Sequence, residues 1–271
     1  PTLSCVAEQT IEVVLANVGA DTVESVQVHW SLNGLPQDDQ LFTLNLLPEG
    51  DTAHLVIGLN NFSSFQTDTL RIWTSMPNEV ADLQPENDTL EAIFRLSLSG
   101  PYTIGGSSPD FATIGEAVTT LNTYHTCGPV TFRIRDGVYT EQISIDSIPT
   151  TSSTNTITFE SESLDSSAVT IQYTPFNSTN PAVFLLKGTD HVTFRHLGFK
   201  ALPSGYSDVL ELRYSADHLT VSNCYFEGYH FGSSSVLIKC LNYGGFSDTM
   251  TIENSYFLNG QQAIYLYNGG F

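Results

Sequence analysis

Glu211, Arg213 and Lys239 are the residues whose types and spacing could do chemistry. Proton abstraction needs an acid that can hold a metal and a Lys or Arg that can act as base. Glu211 and Arg213 stand two residues apart, the period of one strand face, so their side chains leave on the same side. Lys187, Tyr265 and Tyr267 share that phase, and tyrosine faces can carry a stacked ligand. With one acid and no aspartate cluster, the same row also reads as solvated ion pairs with aromatic packing.

A second set is a ladder of aspartates. Asp190, Asp217 and Asp248 each precede an aliphatic-Thr-apolar run: Val192-Thr193-Phe194, Leu219-Thr220-Val221 and Met250-Thr251-Ile252. Carboxylates stacked about 4.8 Å apart repel one another. Calcium, which takes oxygen ligands, could neutralise them. The alternative, which we expect, is that each Asp accepts hydrogen bonds from its own turn. His191 and His218 follow two of these aspartates; paired imidazoles could hold a metal, but turn histidines capped by Asp are expected. Asn223 and Asn254 would form a short Asn stack. No cofactor is called for, and calcium is the one ion the ladder could take. No Ser-His-Asp set, nucleophile elbow or phosphate-cradling glycine loop is present.

The elements that must position these residues repeat. The Asp units recur after 27 residues (192 to 219) and 31 residues (219 to 250), each followed by an aromatic: Phe199, Phe226 and Phe257. A second apolar ladder, Phe184/Leu186, Leu210/Leu212, Val236/Ile238 and Ile264/Leu266, runs beside it in steps of 26, 26 and 28 (184 to 210 to 236 to 264). Two alternating strands per unit at a period of roughly 20 to 50 residues mark a solenoid. No unit can bury its own apolar face. Stacking similar coils in register buries it and pairs the backbone of each strand with the next. A parallel β-helix meets these demands, with Phe194, Val221 and Ile252 expected in one column.

The chain of 271 residues has room for two modest domains. It carries 29 acidic against nine basic residues, a net charge of −20. That balance excludes nucleic-acid and anionic-membrane binding, which need clustered Lys and Arg. No apolar run reaches spanning length, so no membrane insertion is expected. The sequence stops on an open apolar coil, so a fragment of a longer protein is expected. Cys224 and Cys240 fall at inward phases of two strands and read as buried free thiols. Cys5 and Cys127 lie at segment ends, where a disulfide could form, and the lack of a CxxC pair argues against zinc.

Residues 1–98 lack the repeat. Short strands at Thr10 to Ala16, Val26 to Leu32, Leu41 to Leu47, His54 to Gly58, Thr69 to Thr74 and Leu90 to Leu98, with an Asn33-Gly34 turn, suggest an immunoglobulin-type sandwich. Val14-Leu15-Ala16-Asn17-Val18-Gly19, Val28-His29-Trp30-Ser31-Leu32-Asn33-Gly34 and Pro85-Glu86-Asn87-Asp88-Thr89-Leu90 resemble the bacterial cell-adhesion-related (CARDB-like) modules. Residues 99–101 are a linker. Thr113-Ile114-Gly115-Glu116 has capping-box form, and Ile114, Ala117, Val118 and Leu121 share one helical face. Such a helix would cover the apolar end of the first coil. Tyr102-Thr103-Ile104-Gly105-Gly106, Asp110-Phe111-Ala112-Thr113-Ile114 and Cys127-Gly128-Pro129-Val130-Thr131-Phe132, leading into Asp136-Gly137-Val138-Tyr139-Thr140-Glu141, resemble the capped start of right-handed parallel β-helices of the pectate-lyase-like superfamily. They are similar in particular to large surface proteins exported by type IX secretion.

The fold class expected is therefore all-β: an immunoglobulin-like sandwich over 1–98, then a capped right-handed parallel β-helix over 102–271, truncated at its C-terminus. The resemblance implies a secreted protein at the outer cell surface. It also brings in an Asp-Thr/Ser pattern similar to the O-glycosylation acceptor of type IX-exporting bacteria, at Thr22, Thr52, Thr69, Thr89, Ser147 and Thr249. The expected function is a non-enzymatic adhesin or filament component, a rigid display scaffold. Its partners would be further repeats or copies of the same surface protein, or extracellular glycans. The alternative is a polysaccharide lyase or hydrolase fragment using Glu211, Arg213 and Lys239, or a carbohydrate-binding module using Tyr265, Tyr267 and Lys187. An acidic cluster beside Arg213 would favour the enzyme; flat Thr/Ser-covered sheets would favour the scaffold.

Overall fold

In the computed structural model, residues 2–62, 65–82, 87–229, 235–242 and 249–268 are described. The chain divides into two compact units, Pro1–Ser97 and Leu98–Phe271.

Among the described residues the first unit is built mainly of strands. Thr2–Ser4, Thr89–Leu96, Thr67–Ser75, Val23–Leu32 and Leu35–Pro36 lie in that order in one sheet, and Gln40–Leu47 also pairs with Val23–Leu32. Glu8–Ala16 and Thr52–Asn61 form a separate antiparallel pair. Alternation along the strands brings Ile11, Val28, Trp30, Ile57, Leu70 and Ile72 into one core. Asn33 and Gly34 both take positive φ (51° and 79°), the two-residue hairpin turn expected of that pair.

The second unit is a parallel β-solenoid of three sheets. The first sheet stacks Leu98–Ile104, Thr126–Ile134, Ile157–Ser161, Val192–Arg195, Leu219–Ser222 and Met250–Glu253. The second stacks Gly137–Thr140, Val169–Tyr173, Gly198–Ala201, Tyr225–Glu227 and Tyr256–Leu258. The third stacks Ile143–Ile145, Ala182–Lys187, Asp208–Arg213, Val236–Asn242 and Gln262–Asn268. Each coil thus has three strands where the repeat announced two. The second-sheet strand was hidden because only three to five residues long: it appears in sequence as a lone aromatic after the Asp unit.

Like residues meet in columns. Phe132, Phe159, Phe194, Val221 and Ile252 are successive register partners, so the expected column exists. Phe199, Phe226 and Phe257 form another, with rings 5.1 and 5.3 Å apart and nearly parallel. Phe184 meets Phe194 edge-on at 4.9 Å, which joins the third sheet's interior to the first. The third-sheet ladder differs from expectation in one step. Leu210 pairs with Ile238, and Leu212 with Cys240, so the steps run 26, 28 and 26 (184 to 210 to 238 to 264). The two extra residues enter before Val236, and side-chain period 2 let the wrong register look equally apolar.

Corners are made by residues that tolerate positive φ. His191 and His218 open the first-sheet strands of two coils at φ 56°, and His196, Asn223 and Asn254 close three of them at 54°, 54° and 48°. Asn, Asp and His visit the left-handed region more readily than other side chains, so one bend selects the same residue types at each coil. Helix Ile114–Tyr124 buries Ile114, Ala117, Val118 and Leu121. Thr113 Oγ1 accepts from Glu116 N at 3.0 Å. Glu116 returns its bond to Ala112 N, at 2.8 Å, one residue earlier than in a capping box. Glu141 takes two of the helix's first free amides: its carboxylate accepts from Ile114 N and Gly115 N at 3.3 and 2.7 Å. Cys224 and Cys240 are free and buried, whereas Cys5 and Cys127 are disulfide-bonded. Cys224 sits in a corner between strands and not on an inward strand position.

Candidate functional site

The outer side of the third sheet holds the sequence candidates together. Glu211 is the register partner of Lys239, which pairs in turn with Tyr265. Lys187 pairs with Arg213 one column over, and that column ends in Tyr267. Inward neighbours Leu210 and Leu212 force Glu211 and Arg213 outward. Outward is not exposed here. Leu185, Val209 and Glu211 are fully buried and Leu237 is 1% exposed, so this sheet is covered on both sides and its strands read as continuous apolar runs. Part of the cover is the chain at Thr179, whose carbonyl accepts from Arg213 Nη1 at 2.8 Å. Another part is the corners at Gly228 and Gly260, where an added Cβ would stand 2.8 and 2.7 Å from Leu237.

Two ion pairs stand at this sheet. Arg213 Nε donates to Glu211 Oε1 at 2.7 Å. Lys239 Nζ donates to Asp208 Oδ2 at 2.7 Å, and Asp208 Oδ1 accepts from Val236 N at 3.0 Å. Asp208, which the repeat did not bring forward, occupies the register position of Ala182 in the coil before; a single acid at an apolar column position was its only signal. The expectation of a solvated ion-pair row is thus corrected: the acids are buried, and Lys239 is held by Asp208.

Glu211 Oε2 is buried with no hydrogen-bond partner. An unmet acceptor in a closed site costs about 1–3 kcal/mol, more when charged. The first sheet supplies the contrast. Glu160, also buried, accepts from Arg133 at 3.4 Å on one oxygen and from Arg195 at 2.7 Å on the other. Glu160 thus has a cation on each oxygen, whereas Glu211 has one on Oε1 alone.

Lys187 and the two tyrosines extend the same face, and the ladder residues lie elsewhere. Tyr265 and Tyr267 have parallel rings, 7° apart in plane and 6.4 Å between centroids, and Tyr267 is 45% exposed. Lys187 lies 3.6 Å from Asp146. Asp190 Oδ1 accepts from Asp217 N at 2.8 Å, a bond to the next coil where one within its own turn was expected. His191 and His218 stack at 4.3 Å. No group of three His, Cys, Asp or Glu side chains suited to a metal is found among the described residues, and Asp248 lies outside them. Of the Asp-Thr/Ser positions, Thr22, Thr52, Thr89, Ser147 and Thr249 are exposed and Thr69 is half-buried. No helix is long and apolar enough to cross a membrane among the described residues.

No protein-family model matches the sequence, and neither does any curated protein. Solved structures similar to the chain are pectin methylesterases. The carrot enzyme is 14% identical over 60% of this chain and 65% of its own, with a TM-score of 0.40. The Aspergillus niger enzyme is 17% identical over 63% and 72%, at 0.37. PemA of Erwinia chrysanthemi is 13% identical over 54% of this chain, at 0.37, and the chain spans half of its length. The expectation of a non-enzymatic display scaffold is corrected here. The solved structures similar to the chain are enzymes, and two buried acids, Asp208 and Glu211, pair with Lys239 and Arg213 in the third sheet.

Proposed function

We propose that this chain is a fragment of an exported carbohydrate-active enzyme, a polysaccharide lyase or hydrolase whose reactive groups lie on the outer side of the third sheet. The observation that carries the reading is Glu211: a buried carboxylate with one oxygen held by Arg213 and the other unpartnered. A strongly desolvated acid fixed by one specific cation is the arrangement enzymes use to set up an acid or base. In this reading Glu211 moves the proton, Arg213 orients Glu211 and offsets charge that develops on the sugar, and the Lys239–Asp208 pair holds the neighbouring coil in place. Lys187, Tyr265 and Tyr267 extend the face along the stack and would seat the polymer. For substrate to reach Glu211 the chain at 174–181 must lift, and Arg213's bond to Thr179 is one of its ties, beside those of Gln142 to Asn180 and of Asp208 N to Pro181.

The two parallel tyrosines favour a second reading, a carbohydrate-binding module of a larger secreted enzyme. One experiment separates them. A panel of polyuronides and neutral polysaccharides is assayed for cleavage, by reducing ends and by the ultraviolet absorbance of unsaturated sugars, and for binding. Cleavage that Glu211→Gln abolishes supports the enzyme. Binding without cleavage, lost in Tyr265→Ala/Tyr267→Ala, supports the module. Neither cleavage nor binding across the panel ends both.

Finer features of the architecture belong to the same proposal. The two groups of strands around one core support an immunoglobulin-type, CARDB-like first unit. The apolar face of helix Ile114–Tyr124 supports its role as a cap on a right-handed β-helix. Oxidised Cys5 and Cys127 support export to an oxidising compartment. If export follows the type IX route, one or more of the exposed Asp-Thr/Ser sites carries a glycan; an unmodified intact mass of natively produced protein would end that part.

A further inference from the structure

The second sheet has its own surface depression, remote in the coil from the residues just discussed. It is a groove of about 410 Å³ lined by Val138, Ser167, Thr170, Gln172, Lys200 and Tyr225, among others, with Gly198 in its floor. That volume is within the range of small-ligand sites, roughly 300–1,000 Å³.

Two local features build it. The first is a missing side chain. Thr170, Gly198, Tyr225 and Tyr256 are successive partners in one outward column, and Gly198 leaves a notch between a Thr and two tyrosines. The backbone demands this glycine, since a Cβ would stand 3.0 Å from the carbonyl oxygens of Ser166 and Val169. The second is an insertion. In three successive coils the corner from first to second sheet has two residues, 196–197, 223–224 and 254–255, but one coil earlier it spans 162–168. This longer corner supplies the wall at Ser166 and Ser167. It is held in shape by Asp165, whose carboxylate accepts from Ser167 N at 2.8 Å and Ser167 Oγ at 2.7 Å. A loop braced from within, leaving the coil beside a notch, is the usual place for added contacts.

The lining selects the ligand chemistry. Lys200 and Glu227 close on each other at 2.9 Å, so the groove presents no net charge. The protein around it carries −20, which repels polyanions. Facing the groove are the hydroxyl and amide groups of Ser167, Thr170 and Gln172 beside the apolar Val138 and Tyr225, and Tyr256 next along the column is 74% exposed. Aromatic faces with hydroxyl and amide partners suit the apolar faces and equatorial hydroxyls of pyranose rings. We infer that this groove binds a neutral oligosaccharide lying along the Gly198–Tyr225–Tyr256 column. The site is separate from the third-sheet face and does not depend on the chemistry proposed there.

The test is calorimetric titration of the full chain with neutral hexasaccharides of β-1,4-glucan, β-1,4-xylan and β-1,4-mannan, and with hexagalacturonate. At least one neutral hexasaccharide is expected to bind, at least tenfold more tightly than hexagalacturonate. Tyr225→Ala should weaken it tenfold or more. Ser167→Trp, an exposed position on the wall, should do so too without touching the column, which covers the case of a Tyr225 variant that fails to fold. Thr251→Ala, an exposed position of the first sheet, should leave the affinity within twofold. No binding of any neutral hexasaccharide, preference for the acidic one, or an affinity that both groove variants leave unchanged would overturn the proposal.

Discussion

Glu211 holds one strong bond, from Arg213, and one buried oxygen with no partner. Removing the acid alone leaves Arg213, whose side chain is 14% exposed, without its carboxylate. Glu211→Leu should therefore destabilise by about 3–5 kcal/mol, and the added change Arg213→Leu should recover much of the loss. Urea unfolding of both variants measures this; a single variant as stable as wild type would show that the pair is not closed off from water. Cys224 gives a pH signature at the same scale. Burial, opposed by weaker backbone hydrogen bonds, pushes its thiol up to about 11 from 9.0. The folded-state value is raised, so its contribution is fully present below pH 9 and is lost as pH rises toward 11. The stability difference between wild type and Cys224→Ala should fall by roughly 2–3 kcal/mol across that window and be flat below it. Constant difference from pH 8 to 11 would contradict the burial.

Elements are held by like residues in columns and by the few side chains that shape the corners. Phe194 sits fully buried among Phe159, Phe184 and Phe199. Phe194→Ala should cost about 3–5 kcal/mol, measured by thermal or urea unfolding. At the corner, Asn223 has φ 54°. Asn223→Gly should be near neutral, whereas Asn223→Val should cost about 1–2 kcal/mol, because a β-branched residue resists the left-handed region. Equal stabilities would mean the corner can rebuild itself. These corner residues were legible in the sequence as Asp-His and Asn repeats, although their reason, a positive φ, was not. Four of the five second-sheet strands were illegible, because three or four residues are too few for a period to show.

At the scale of the molecule, charge is the dominant feature. A net −20 spread over 271 residues destabilises the compact state by self-repulsion. Raising sodium chloride from low ionic strength to about 0.5 M, where screening acts within a few ångströms, should raise the melting temperature. Asp190 is engaged by a backbone amide, so a calcium chelator should leave that temperature unchanged; a clear fall would restore the Asp ladder as an ion site.

Periodicity in the sequence was enough to determine that coils stack in parallel and that Phe194, Val221 and Ile252 share a column, because stacking places equivalent positions over one another. The same pattern showed which third-sheet residues point outward. Only the tertiary structure decided which of those are covered, that Lys239 turns to Asp208, that Leu210 faces Ile238, and that Gly198 opens a notch. All four depend on loops of unequal length that leave the coil and return over its surface. Such excursions obey no period, so nothing in the repeat encodes where they come to rest.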